Sequence, residues 1–520
     1  MSTEDSTIHS DIEKNIIATN ETVINEKHLD ETKSFMEQYE DTVTEPPTKK
    51  ELRKLNLKLY GIVFLISWTN LIFFMDKYTM GYAAEFGFFK AIHIDQGVNR
   101  YNNMNTLYYV GYIIGQVNLW WAQKIGNRKS MIILCLFWNI NMYLTCTLTS
   151  YQGAYVLRFF LGFIESIAMS LQNITLQQIL PAQKKARIGQ FFMIANNFAQ
   201  IPVSFIAYGL LKHTTNDVTP SGLPVWKAFI LIISCMTSFT FIMIVWFYPT
   251  NPTDLRYFSI KEKVWIIKDI QQANGSSIET KVFKKYQAIE ALKDPVSWYY
   301  TGAMFSLMLC NNISYIQNII FAELALTSVL NTYLVSAAGA GFSCACGLVS
   351  FFAMKYYPRV CNTTFVGIFW VAFTLVPCIL MAALSWNVNK KVFLALTLLA
   401  GVFGCTWINI VSSYQSYCAG YTKILVRSAM SMAAYSIGNI IASRIYYDKG
   451  APRYYVAWGV QSFGFFMTIV CLVLAYYTLS KRNKERLLAI ENEGYDLKHK
   501  VKDANSDLTD LENKNFIYPL

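Results

Sequence analysis

Long apolar runs, broken at near-regular intervals by short polar or basic stretches, dominate the chain from about residue 57 to residue 478. The approximate apolar segments are 57–77, 103–122, 131–150, 153–173, 190–211 and 226–248, then 298–320, 328–352, 362–383, 391–414, 427–447 and 454–478. Each is close to the ~20 residues with which a helix crosses about 30 Å of hydrocarbon. The pattern predicts an all-α membrane protein of twelve transmembrane helices, six before and six after a polar stretch at 249–297. The expected organisation is a flexible acidic cytoplasmic tail (1–56), an amino-terminal six-helix bundle (57–248), a cytoplasmic central loop (249–297), a carboxy-terminal six-helix bundle (298–478) and a flexible cytoplasmic tail (479–520). A 6+6 division suits a protein that binds its substrate between two halves near the bilayer midplane.

Composition sharpens this reading. Charged residues are only 15% of the 520, against about 25% in a soluble domain, and mean hydropathy is +0.27 despite polar ends. That balance excludes a soluble enzyme, a disordered hub and a coiled coil. Net charge is −8 over residues 1–51, zero over 481–520 and +19 over 52–480. The bases of the middle fall in short clusters between apolar runs, the signature of a positive-inside membrane protein rather than of a nucleic-acid binder. Basic residues mark the even-numbered loops: Lys124, Arg128 and Lys129; Lys184, Lys185 and Arg187; the central loop; Lys355 and Arg359; and Lys423 with Arg427 at its edge. Those loops, and both tails, are therefore expected in the cytoplasm. The amino terminus has no apolar stretch of secretory type. The expected location is the plasma membrane, with endoplasmic reticulum and vacuole left open, and the tails are places for trafficking or turnover partners.

The eleven cysteines lie in or beside apolar segments and read as packing material. The five histidines fall outside the spans. The chain has no phosphate-binding loop of the G-x-x-x-x-G-K-[ST] type and no hydrolytic triad pattern,. An enzyme, a metal site and an internal ATP motor are thus not expected. No cofactor is called for, and a proton gradient is the natural energy source.

Four local stretches carry a resemblance: Asp76-Lys77 followed by Tyr78-Thr79-Met80-Gly81-Tyr82-Ala83-Ala84; Arg158-Phe159-Phe160-Leu161-Gly162-Phe163-Ile164-Glu165; Tyr435-Ser436-Ile437-Gly438-Asn439-Ile440-Ile441; and Ala451-Pro452-Arg453-Tyr454. With these the chain resembles the major facilitator superfamily over roughly residues 52–480, and within it the fungal allantoate-permease branch of the anion:cation symporters. The resemblance implies a 6+6 major-facilitator arrangement and proton-coupled uptake of a small organic anion by alternating access. The anion would be an allantoate-like, vitamin-like or sulfur-containing carboxylate. A uniporter or exchanger, and further off a membrane sensor, are the alternatives. The loop Gln123-Lys124-Ile125-Gly126-Asn127-Arg128-Lys129 resembles the superfamily's gating motif, with Gly126, Arg128 and Lys129 as gating residues. Gln123 stands where that motif has an acid, which leaves either a neutral latch or a weaker one.

Charges inside hydrocarbon cost several kcal/mol unless paired or hydrated, so the few present are the candidates. Arg158 and Glu165 lie seven apart, about 10 Å along one helix, and each calls for its own partner on another helix. Arg158 is a candidate for gripping the substrate carboxylate, or else an interhelical staple. Asp76, at the expected outer end of the first span, and Glu165 are the candidates for proton coupling, or else permanent ion-pair partners. Asn312 and Asn439 are candidates for the substrate cavity, or else plain interhelical hydrogen bonders.

Overall fold

The computed structural model describes residues 31–39, 46–94, 98–180, 194–214, 218–220, 222–249, 251–274, 283–311, 329–357, 360–385, 389–445, 455–493, 508–514, 516–518 and 520. The molecule is an all-helical membrane protein. Ten helical stretches among the described residues are long and apolar enough to cross a bilayer. The other two apolar segments of the sequence lack one unbroken helix of that length among the described residues. Segment 103–122 spans Val98–Ile114, a 3-10 turn at Gly115–Val117 and Asn118–Ile125. Segment 298–320 starts as Pro295–Met308 and turns at residues 309–311, and residues 312–320 lie outside the described set.

In chain order the helices used below are α1 (Glu31–Tyr39), α2 (Lys49–Glu85), α3 (Val98–Ile114), α4 (Asn127–Cys146), α5 (Tyr151–Glu165), α6 (Ala168–Ile179), α7 (Gln200–Lys212), α8 (Val225–Phe247), α9 (Lys285–Lys293), α10 (Pro295–Met308), α11 (Val329–Tyr356), α12 (Lys390–Ala400), α13 (Gly404–Ser416), α14 (Tyr421–Ile445) and α15 (Tyr455–Glu493).

The described parts of the two segments expected as tails are folded. The first membrane helix begins at Lys49, because Thr48 and Glu51 form a capping box: Glu51 N–H donates to Thr48 Oγ1 at 3.4 Å and Thr48 N–H to Glu51 Oε2 at 3.0 Å,. The helix also runs on to Glu85, burying Thr79, Met80, Tyr82 and Ala83. Asp76 and Lys77 thus sit well inside it rather than at its outer end. Residues 31–39 are helical too, with Met36 buried. At the other terminus α15 continues to Glu493, and residues near 510–518 pack back onto the bundle, with Tyr518 buried.

Glycines set the closest helix approaches. A Cβ on Gly162 of α5 would lie 1.9 Å from the Tyr108 carbonyl oxygen of α3, and one on Gly111 would lie 2.2 Å from that of Phe159. In the second half, Gly438 of α14 faces α10, where a Cβ would meet the Phe305 oxygen at 2.9 Å. Small residues let helices approach where lipid gives no hydrophobic drive. The two halves meet at the end opposite the termini. There Tyr333 donates a hydrogen bond to Glu85, Arg444 Nη2 donates to Asn103 Oδ1 at 2.8 Å, and the Tyr82 and Tyr333 rings lie 5.3 Å apart.

Candidate functional site

Successive residues on a helix point about 100° apart, and α2 uses this at positions 76 and 77 to send two charges to different places. Asp76 is buried and faces the interior of the amino-terminal half. Its Oδ2 accepts a hydrogen bond from Trp138 Nε1 at 2.9 Å, and the Trp138 ring stacks on Phe73 at 4.1 Å. Arg158 lines the same small pocket, with Thr79, Asn141 and Thr145, and its charge acts on Asp76.

Lys77 points the other way, onto the wall of a cavity between the halves. That cavity is lined also by Asn196, Asn197, Met308, Asn311, Trp407 and Tyr435. Lys77 Nζ lies 3.2 Å from Glu165 Oε1, and the two side chains are 16% and 4% exposed. Tyr108 donates to the other oxygen of Glu165 at 2.8 Å. The ammonium also sits 4.8 Å from the Phe74 ring centre and 5.9 Å from those of Tyr112 and Tyr435. Ring faces carry negative charge that suits a cation. The site therefore holds an ammonium in low dielectric by one carboxylate and three aromatic rings.

Interrupted helices frame this point from both sides. The fourth membrane crossing breaks at Ser166–Ile167, directly after Glu165, before α6 resumes. In the second half, α12 and α13 are separated by a 3-10 turn at Gly401–Phe403, and Gly401, Phe403 and Gly404 line the cavity. Breaks at corresponding crossings of the two halves mark binding sites in transporter folds. Polar groups close the second wall: Asn311 Nδ2 donates to Asn439 Oδ1 at 2.5 Å, and Asn439 Nδ2 donates to the Tyr435 carbonyl at 2.8 Å.

The residues singled out in the sequence fall as follows. Glu165 reaches the cavity through Lys77, and Asn439 reaches it through Asn311. Asp76 and Arg158 come together, but inside the amino-terminal half and away from the cavity wall. Asn312 lies outside the described residues. Gly126 adopts φ +93°, a left-handed turn that favours glycine,. Arg128 donates to the Val245 carbonyl at 2.9 Å and lies 3.7 Å from Asp254, while Lys129 is exposed. Asp254, seven residues past α8, is thus an acid facing Arg128 where position 123 carries Gln. Lys423 and Arg427, read as a basic loop, are instead fully or almost fully buried. Sequence reasoning passed over Lys77, treated only as a neighbour of Asp76, and over Trp407, Tyr108 and the pair Asn196 and Asn197. Among the described residues no group of three or more His, Cys, Asp or Glu could hold a metal ion.

This arrangement, a paired charge at a cavity between two helical bundles, defines a membrane transporter rather than an enzyme. The chain matches the Major Facilitator Superfamily over residues 61–443 and belongs to it. It is 38% identical to a high affinity cysteine transporter of Saccharomyces cerevisiae, over 97% of this chain and 98% of that one. It is 25% identical to the allantoate permease of the same yeast, over 91% of this chain and 87% of that one. The chain is thus related to the fungal group of allantoate and cysteine transporters. A solved structure of the proton:xylose symporter XylE has the same fold, with TM-score 0.59 and 14% identity, over 81% of this chain and 95% of that one.

Proposed function

We propose that this protein is a proton-coupled importer of a small carboxylate, with cysteine as the first substrate to test. The reading includes twelve crossings with both tails in the cytoplasm, a plasma-membrane location, and alternating access between the 57–248 and 298–478 halves. The observation that carries it is the Lys77 ammonium on the cavity wall, 3.2 Å from Glu165. A carboxylate entering the cavity competes with Glu165 for Lys77. A proton on Glu165 removes that competition, so proton and carboxylate bind together, and by linkage each favours the other. The amino group of a zwitterion has the Tyr435 and Trp407 rings and the Asn311 amide to face,. One proton carried with a zwitterion brings a net positive charge inward, which an inside-negative potential drives by about 2.3 kcal/mol per 100 mV. Asp76 is the second candidate proton carrier, held ready by Trp138 and Arg158. Arg158 supports the carboxylate site through this network. Similarity to the cysteine transporter supports the choice of substrate.

The experiment is uptake in cells that lack their own cysteine and allantoate transport. Labelled cysteine should accumulate faster at pH 5 than at pH 7, and unlabelled cysteine should compete better than allantoate. Surface-expressed protein that moves neither compound, or moves cysteine without regard to external pH, would defeat the proposal in favour of another solute or a uniporter.

A further inference from the structure

The cytoplasm-facing end of the carboxy-terminal half, as proposed above, contains a second charge cluster that substrate binding does not use. Lys423, at the start of α14, is fully buried. Its Nζ lies 2.7 Å from Glu290 of α9, 3.5 Å from Asp294 and 2.7 Å from Asp510. Arg482 of α15 pairs with Asp294 at 2.9 Å. Two of the three acids belong to the body of the bundle. The third comes from the end of the chain.

The terminal segment is held by a specific set of contacts. Thr509 Oγ1 donates to Glu290 Oε2 at 3.0 Å, and Tyr518 donates to Asp510 Oδ2 at 2.7 Å. Asn483 and Tyr518 exchange two hydrogen bonds of 2.9 Å, and the Arg486 guanidinium lies 4.8 Å from the Tyr518 ring centre. Thr509 and Glu512 cap one another, with bonds of 2.9 and 3.1 Å. Gly420 has φ +89°, and a Cβ there would come within 3.1 Å of the Thr509 methyl. The body of the protein is thus shaped to seat this segment.

We propose that residues 508–520 form a releasable strap on this pocket and that Thr509 is its phosphorylation site. Thr509 is fully buried when docked, and its hydroxyl already touches a carboxylate. A phosphate there carries about −1.5 to −2 charges. It would stand against Glu290, with Asp510 and Glu512 adjacent, at a position that is fully buried when the strap is seated. The phosphorylated strap therefore does not seat. The sequence Thr509-Asp510-Leu511-Glu512 puts acids one and three positions after the threonine, which suits a Ser/Thr kinase with a basic peptide groove. The kinase acts on the undocked strap. The γ-phosphoryl of ATP passes to Thr509 Oγ, the bond to ADP breaks, and the hydroxyl proton is released to solvent. Modification traps the released state by population shift. Release removes an acid from Lys423 and loosens the starts of α10 and α14. These are the two helices that carry Met308 at the cavity and Asn439 behind its wall.

The test uses the full-length protein purified in detergent and makes no assumption about the substrate. The protein is incubated with an acid-directed kinase and Mg-ATP, and hydrogen exchange is followed in peptides spanning 285–294, 417–428 and 508–520. One phosphate is expected on Thr509, and none there in Thr509→Val. In phosphorylated protein and in Thr509→Glu, exchange of the 508–520 peptide should rise about a hundredfold, the scale of one broken buried charge pair. It should stay slow in Thr509→Val. Adding Glu290→Gln to Thr509→Glu should restore part of the protection, because the repulsion from Glu290 is gone while Asp510 and Glu512 remain. No recovery would assign the loss to misfolding and overturn the charge mechanism. Absence of phosphate on Thr509 even in Tyr518→Ala, which weakens the strap's hold and keeps both acids of the motif, would overturn the site. Unchanged protection after phosphorylation would overturn the switch.

Discussion

Lys77 and Glu165 pair at 3.2 Å on the cavity wall, and in the proposed mechanism the substrate takes the place of Glu165 on Lys77. Breaking a buried pair by deleting one partner costs about 3–5 kcal/mol. Lys77→Gln should therefore lower stability, and, if Lys77 holds the substrate carboxylate, it should also abolish measurable uptake by the protein that still reaches the surface. Lys77→Arg keeps the charge but replaces a compact ammonium by a wide planar group. It should retain measurable uptake with a raised KM. Equal loss in both variants would mean that the charge is not what the substrate uses. Glu165 and Asp76 were legible in the sequence because a carboxylate inside an apolar run needs a reason. Lys77 was not, because its role depends on a rotation of one residue along α2 that sequence position alone does not display. Trp407 and Tyr108 were hidden among 12 tryptophans and 33 tyrosines, many of which read as interface-belt residues,.

At the scale of elements, the contact between α3 and α5 is set by missing side chains. Gly162→Ala places a Cβ 1.9 Å from the Tyr108 oxygen, so the helices must separate. Overpacking of this kind costs about 1–3 kcal/mol, and it also shifts Tyr108, which holds Glu165. Gly209→Ala in α7 meets nothing within 4 Å. Thermal unfolding in detergent should show a clear drop for the first variant and little or none for the second. Similar melting of the two would refute the close contact.

Asp294, the N-cap of α10, gives an acid-side signature. Burial alone would push its carboxyl up, but the Arg482 hydrogen bond and the charges of Lys423, Arg427 and Arg482 outweigh this and hold it below the usual range. A depressed carboxylate stabilises the fold above its unfolded pKa, about 3.9, and that contribution is lost as pH falls through the folded value. Asp294→Asn should lower stability at neutral pH and flatten the decline below pH 4, as read from melting temperature against pH. The elements themselves were largely visible as apolar runs. The helix start at Lys49 was missed although Thr48 and Glu51 spell a capping box, because the acidic composition around them dominated the reading. The docked carboxy terminus was missed because its partners lie far away in the chain, at Glu290 and Lys423.

On the scale of the whole molecule, the long apolar runs disclosed an all-helical membrane protein of the major-facilitator fold. They did not disclose which charges face the cavity, since that is a property of how the two bundles meet. Contacts such as Tyr333 with Glu85 and Arg444 with Asn103 join the halves at one end. Alternating access requires that such contacts break while the opposite end closes. The central claim is that Glu165 carries the proton that accompanies the substrate to Lys77. The most direct measurement is labelled cysteine uptake into proteoliposomes under an imposed inward proton gradient, compared for wild type and Glu165→Gln and paired with counterflow. Wild type should concentrate cysteine above its external level. Glu165→Gln, permanently neutral, should support counterflow yet only equilibrate the label. A Glu165→Gln protein that concentrates cysteine as wild type does would contradict the account.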